Sequence, residues 1–426
     1  MKLNLFFSTA FAVISSINTF GQQVDTNGYS EVDIEAQPGY AERVFFNFSN
    51  GQTINKSALN WDIAFYRASI FEVGTRINDS NSWNVYEVSK NPDDWDNITN
   101  PNTAIASKNG LTNPDTATEL HKGAFDQVEW GKYDFATHHY KGKSIFILAK
   151  GRSTAFYKFM IEDRFKNYKI KYALWNKDTS SWEETETATI PDGNGNTLFN
   201  YFSLKNNKIV ADNEPNKTDW DIVFTQYLDS RQRNYLVFGV LQGPSISVAK
   251  KTDEKQAVAT FPKPNNNDYS KVISTIGRDW KSYDPDTGGF SVDENFVYYI
   301  KKDKAYYRMY FTRATGNQDG FFRFKYKNVT DVLAVKEVGS KANFGVYPNP
   351  TIDKKATILF EVKDKADNNG SAELYDFSGK KVYETTLQNQ SGLYQKDINL
   401  QGLPSGTYLL KISFGGATET RKLILK

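Results

Sequence analysis

The sequence predicts an all-β protein: two related antiparallel β modules and a C-terminal β-sandwich. Three observations carry this. Aromatic residues form 15% of the 426-residue chain, with 30 Phe, 25 Tyr and 8 Trp, and such side chains fit pleated strands better than helices. Apolar and polar residues alternate over short runs, with almost no sustained helical period. Clusters of Gly, Asn, Asp and Pro punctuate these runs at hairpin spacing.

In chain order, the N-terminal residues come first. Residues 1–21 place Lys2 before an apolar stretch from Leu3 to Phe20, ending at Phe20-Gly21 before Gln22, which reads as a signal peptide. Asn4, Ser8, Ser15, Ser16 and Asn18 interrupt that stretch, so it does not read as a membrane span, which needs about 20 mostly apolar residues. No later segment reads as a transmembrane helix.

Two modules follow, residues 22–190 and 191–332, read from an internal repeat. Val44–Arg67 carries an aromatic strand, a turn, a polar loop and Asn60-Trp61-Asp62-Ile63; Phe199–Tyr227 repeats this order with Asp219-Trp220-Asp221-Ile222. Ser144–Trp175 and Phe296–Val329 form a second matched pair, each reading as strand, short turn, strand, loop, strand. The landmarks occur in the order one, two, one, two, as a duplication requires. Alternation places Phe156, Lys158 and Met160 on one face and Tyr157, Phe159 and Ile161 on the other, which predicts one buried and one half-wetted face. The Trp-Asp pairs read as buried indoles with carboxylates that close nearby turns. Pro191–Asn196 and Asp284–Gly289 read as turns. The first has alternating Asp192, Asn194 and Asn196, but Thr197 and Ser203 stand where a calcium loop needs Gly and Glu. Residues 332–342 read as a connector, and 343–426 as six or seven short strands of a small sandwich.

Composition excludes several functions. With 52 Lys+Arg against 50 Asp+Glu, nothing draws the chain to nucleic acid. The absence of cysteine removes disulfides, thiolate zinc sites, iron–sulfur clusters and a cysteine nucleophile. No G-x-S-x-G, H-E-x-x-H, P-loop or dinucleotide fingerprint occurs, and Glu183, Glu184 and Glu186 read as a solvated strand face. The chain is expected not to be an enzyme.

Two resemblances add to this. Val346-Tyr347-Pro348-Asn349-Pro350, Tyr375-Asp376-Phe377-Ser378-Gly379-Lys380 and Leu403-Pro404-Ser405-Gly406-Thr407-Tyr408 closely resemble the type A C-terminal sorting domain of the type IX secretion system. This implies an immunoglobulin-like sandwich, a Bacteroidetes-type bacterium, the type IX machinery as partner, and a secreted or cell-surface location. The repeated module resembles the HmuY-like haem-binding family through Phe45–Gly51, Asn60–Arg67, Asp134–His138 and the Phe146–Arg164 hairpin. The second copy matches it through Tyr201–Leu204 and Asp219–Phe224. That resemblance implies haem held between two axial side chains from long loops.

The chain has three histidines, His121, His138 and His139, all in the first copy. Neutral imidazole can ligate haem iron. His138 or His139 stands where the family places one axial ligand; His121 is the remaining imidazole, nearer in sequence than the family pattern asks. The same three residues also read as uncommitted surface-loop histidines. The second copy has no histidine, and Met309 reads as core, so that copy is expected not to bind haem through imidazole. The leading expectation is therefore an exported, non-enzymatic ligand-binding protein with haem or a related porphyrin as candidate ligand. The alternative is a carbohydrate- or surface-binding adhesin-like module using exposed aromatics.

Overall fold

The computed structural model describes residues 24–426, apart from 70–71, 152–154, 192–194, 257–263, 287, 331–341, 364 and 366–368. The expected signal segment, part of the Pro191–Asn196 turn and nearly all of the connector lie outside the described residues. The chain divides near residue 332 into two compact units, and β-strands dominate both.

The first unit is built from four main antiparallel sheets. One outer sheet runs in the order Glu186–Pro191, Asn167–Asn176, Ala155–Phe165, Ile145–Lys150, Trp83–Ser89. The other runs Ser30–Glu35, Phe321–Asn328, Ala305–Ala314, Val297–Lys302, Ile246–Lys251. Strand for strand the two orders match. Even the register shift recurs, between Ile161 and Asp163 in one sheet and between Phe311 and Arg313 in the other.

Two inner sheets lie between them. One is Lys208–Val210, Phe199–Ser203, Ile63–Tyr66, Thr75–Ile77; the other is Thr53–Ser57, Glu42–Phe46, Ile222–Asp229, Tyr235–Gln242. Three cores join the layers. Ile63, Phe65 and Phe202 pack on Phe146, Phe159 and Ile170. Phe46, Ile222 and Phe224 pack on Val248, Met309 and Phe324. Phe45, Tyr201, Trp61, Trp220 and Val223 fill the space between the inner sheets. The central strands of these sheets, Glu42–Phe46, Ile63–Tyr66, Phe199–Ser203 and Ile222–Asp229, bury both faces and carry most of the apolar residues, whereas the edge strands Thr53–Ser57 and Lys208–Val210 stay exposed or half-buried.

The structure thus bears the repeat out in strand order, but the folded bodies are offset from the boundary near residue 190. Strands from Ile63 through Val210 make one outer and one inner sheet from contiguous chain. The second body is closed by the N-terminus: Ser30–Glu35 pairs with Phe321–Tyr326, and Glu42–Phe46 pairs with Ile222–Phe224. The Trp-Asp pairs sit at these junctions and do what the sequence suggested. Trp61 and Trp220 are buried. The Asp62 amide donates to the Phe202 carbonyl while its carboxylate accepts from the Leu204 amide at 2.9 Å and Trp83 Nε1 at 2.9 Å. The Asp221 amide donates likewise to the Phe46 carbonyl, and its carboxylate accepts from the Phe48 amide at 2.8 Å and pairs with Lys302 at 2.9 Å.

One expectation fails. The outer face of Ala155–Phe165 is not half-wetted: Phe156, Lys158 and Met160 are as buried as Tyr157, Phe159 and Ile161. Trp95, Trp175 and Trp182 cover it. Lys158 Nζ donates to the Trp95 carbonyl at 2.6 Å and lies over the Trp95 and Trp182 rings; burial pushes its amine down to about 8. Its counterpart Arg308 is fully buried, paired with Glu254 at 2.8 Å and hydrogen-bonded to Tyr29 Oη and the Lys255 and Gln256 carbonyls.

The second unit is a sandwich of Ala342–Tyr347, Lys355–Val362 and Gly392–Asn399 against Lys381–Leu387, Gly370–Tyr375, Gly406–Phe414 and Ala417–Leu425. Ile358, Leu374, Leu410 and Leu423 form its fully buried centre. All six strands read from the sequence are present, with Ala342–Tyr347 as a seventh. The three motifs have local physical roles. Asn349 Nδ2 donates to the Lys422 carbonyl at 2.7 Å and its Oδ1 accepts from the Ile424 amide at 3.0 Å, pinning the last strand. Asp376 Oδ1 accepts from the Ser378 and Lys380 amides across the turn where Gly379 takes φ 82°, a conformation that favours glycine. Tyr408 Oη donates to the Pro404 carbonyl at 2.8 Å.

Candidate binding surface

Both repeats project a short hairpin after a buried tryptophan. In the first, Trp130 precedes strands Gly131–Asp134 and His139–Gly142; in the second, Trp280 precedes Lys281–Asp284 and Gly289–Val292. The tryptophans anchor the hairpins. Trp130 packs edge-on to Tyr140 at 4.7 Å, and Trp280 stacks on Phe311 at 3.6 Å. Asp134 closes the first turn, accepting from the Ala136 amide at 2.9 Å and Thr137 Oγ1 at 2.8 Å. Asp284 accepts from the Asp286 amide at 2.9 Å, as expected of the Asp284–Gly289 turn.

This geometry turns aromatics outward at matching positions. Tyr133 is 40% exposed, its counterpart Tyr283 58%, and Phe135 84%. Tyr133 meets Phe135 edge-on at 5.0 Å, and Tyr283 meets Phe290 at 5.2 Å. Phe165 lies beside the first hairpin, against His139. Apolar rings held in solvent on a two-stranded frame anchored by a buried tryptophan can stack on flat apolar faces.

The three histidines do not converge on one set of partners. His138 occupies the position of Gly288, with φ 60° against 67°, and is exposed on the turn. Its Nδ1 lies 2.8 Å from Tyr133 Oη. His139 turns to Asp163, with Nδ1 2.8 Å from both carboxylate oxygens, and stacks on Phe165 at 4.7 Å. Burial raises the Asp163 carboxyl, but hydrogen bonds from Lys141 and His139 outweigh it and hold the group below the usual carboxylate range. His121 stacks flat on Tyr66 at 4.3 Å, with Nε2 3.7 Å from Glu119; burial lowers its pKa. It shares none of these partners with His138 or His139. Met309 is fully buried in the core, as expected.

A lysine that the sequence does not single out lies buried under the second hairpin. Lys281 Nζ donates to the Phe238 carbonyl at 2.6 Å and lies 4.7 Å from the centres of the Trp280 and Phe322 rings. Burial pushes its amine down to about 7, with Arg278 adding to the shift. Buried Arg308 is likewise not singled out by the sequence. The available signal was a cation in mid-strand among apolar residues, as in Tyr157-Lys158-Phe159 and Tyr307-Arg308-Met309.

A layered β scaffold displaying two hairpins, on the same chain as a β-sandwich whose terminal strand is pinned by its entry motif, defines a two-unit β protein. Residues 345–426 match the Secretion system C-terminal sorting domain family. That domain marks the chain for export by type IX secretion to the cell surface or outside the cell. No curated protein matches the chain. Among the described residues, no helix is long and apolar enough to cross a membrane.

Proposed function

We propose that the exported protein is a non-enzymatic binding protein that engages carbohydrate or another surface polymer through its two aromatic hairpins. The observation that carries this reading is the recurrence of an exposed tyrosine, Tyr133 and Tyr283, at equivalent places on two tryptophan-anchored hairpins. Tyr and Phe rings stack on sugar faces at low entropy cost, and two such contacts on one chain raise avidity without new chemistry. Affinity electrophoresis of the full chain through gels containing soluble polysaccharides tests it. Retardation by at least one polymer, reduced by Phe135→Ala and Tyr283→Ala and further reduced by the pair, supports the reading. Equal mobility of all variants in every gel defeats it.

A second reading keeps haem or a related porphyrin as ligand of the first repeat, in line with the HmuY-like resemblance. One observation favours it: exposed His138 stands beside exposed Tyr133 and Phe135 on a single hairpin, offering an imidazole next to apolar rings. Titration with haemin decides it. A shifted Soret band that His138→Ala abolishes supports haem; an unshifted band ends that version and leaves the polymer reading standing.

A further inference from the structure

Between the two inner sheets lies a cavity of about 60 Å3. Its wall includes Trp61 and Trp220, the equivalent tryptophans of the two repeats, together with Arg43. These residues are 7%, 2% and 7% exposed. Among the described residues, neither indole Nε1 nor the Arg43 Nε has a hydrogen-bond partner. A buried N–H donor without an acceptor is costly, and here three residues that each carry one line the same space.

Neighbouring polar groups are already engaged. Arg43 donates through its other nitrogens to Tyr201 Oη at 3.1 Å and the Asn213 carbonyl at 2.6 Å. Glu214 accepts from the Leu198 and Phe199 amides, and Asp79 from Asn113 Nδ2. Arg76 donates to the Leu120 and Lys122 carbonyls. The wall therefore offers N–H donors beside two guanidinium groups. Burial pushes the Glu214 carboxyl up to about 7 and that of Asp79 up to about 6, so the wall carries two carboxyl groups as well as the two guanidinium groups. The rest of the wall is largely apolar, with Phe45, Val223 and Leu241. At roughly 10–15 Å3 per water-sized group, the space holds about four to six such groups.

We propose that this cavity is a binding site for a short-chain monocarboxylate of acetate to propionate size. The carboxylate oxygens accept from the two indole N–H groups and Arg43 Nε; the alkyl end packs on Phe45, Val223 and Leu241. The site exists only because the chain is duplicated, since each repeat supplies one tryptophan.

The test is NMR of the full chain labelled with 15N at tryptophan. The six tryptophans other than Trp61 and Trp220 report folding in the same spectrum. Sodium acetate and sodium propionate are titrated against sodium chloride. Saturable shifts of the Trp61 and Trp220 indole resonances with the carboxylates, and not with chloride, support the site. Trp61→Phe and Trp220→Phe keep an aromatic ring and remove the donor, and each should weaken binding about tenfold. Indole resonances that stay fixed, or that move equally with all three salts, would overturn the proposal. If either variant loses its remaining indole dispersion, the wild-type titration decides by itself.

Discussion

Removing residues 24–57 should unfold the second body of the first unit and spare the first. The segment gives that body two strands outright, Ser30–Glu35 and Glu42–Phe46, with Thr53–Ser57 beyond them. It also delivers Val32, Ile34, Val44, Phe46 and Phe48, each at most 6% exposed, into one core. At about 2 kcal/mol per large apolar side chain removed from water, the loss is ~10 kcal/mol, against a net domain stability of about 5–15 kcal/mol. Buried Arg308 also loses Tyr29 as a partner. The first body gives up far less, chiefly Arg43 and Phe45 in the shared core. Amide hydrogen exchange on the full chain and the truncated one reads the outcome. Amides of Val297–Lys302 and Ala305–Ala314 should lose protection while those of Ile145–Lys150 and Ala155–Phe165 keep it. Equal protection of both sets after truncation would refute closure by the N-terminus as the source of the second body's stability.

Other outcomes follow from single groups. Asp62→Ala leaves the Leu204 amide and Trp83 Nε1 buried without an acceptor, and should cost ~3 kcal/mol in urea unfolding; a loss below ~1 kcal/mol would mean the junction carries no such role. Lys281 is buried with its amine lowered to about 7 from 10.5, so the unfolded chain holds its proton more tightly. Stability should therefore climb as pH rises from about 7 toward 10, and Lys281→Met should flatten this rise and stabilise the chain at neutral pH by ~3 kcal/mol, measured by thermal unfolding across pH. Asn349→Ala removes both bonds to the last strand and should speed amide exchange across Ala417–Leu425, with a stability cost of ~1 kcal/mol.

Much of the fold could be read from residue order, because strands announce themselves locally. The repeated Trp-Asp-Ile and the hairpins after it depend on alternation and turn chemistry within a few residues. So do the sandwich strands around Ile358, Leu374 and Leu410. Who pairs with whom is a different matter. Nothing near Ser30 indicates that its partner is Tyr326, and periodicity cannot tell a neighbour in sequence from one arriving from the far end of the chain. For the same reason the wetted face expected on Ala155–Phe165 is wrong: Trp95 and Trp182, which cover it, lie on separate segments. At the hairpins, the turns were legible from Asp134 and Asp284, but the outward tyrosines were not. Whether Tyr133 faces core or solvent depends on where Trp130 anchors the strand. The three histidines were visible as candidates from composition; their separate partners, Tyr66, Tyr133 and Asp163, were not.

The closing pair of Ser30–Glu35 with Phe321–Tyr326 sets a condition on how the protein can be made. A nascent chain emerges amino end first, so its first apolar strands exist long before their mates are synthesised. Contacts this distant in sequence form slowly, and unpaired apolar strands invite association with other chains in the interval. Until the chain through Asn328 has been made, Ser30–Glu35 has no partner for its backbone or for Val32 and Ile34.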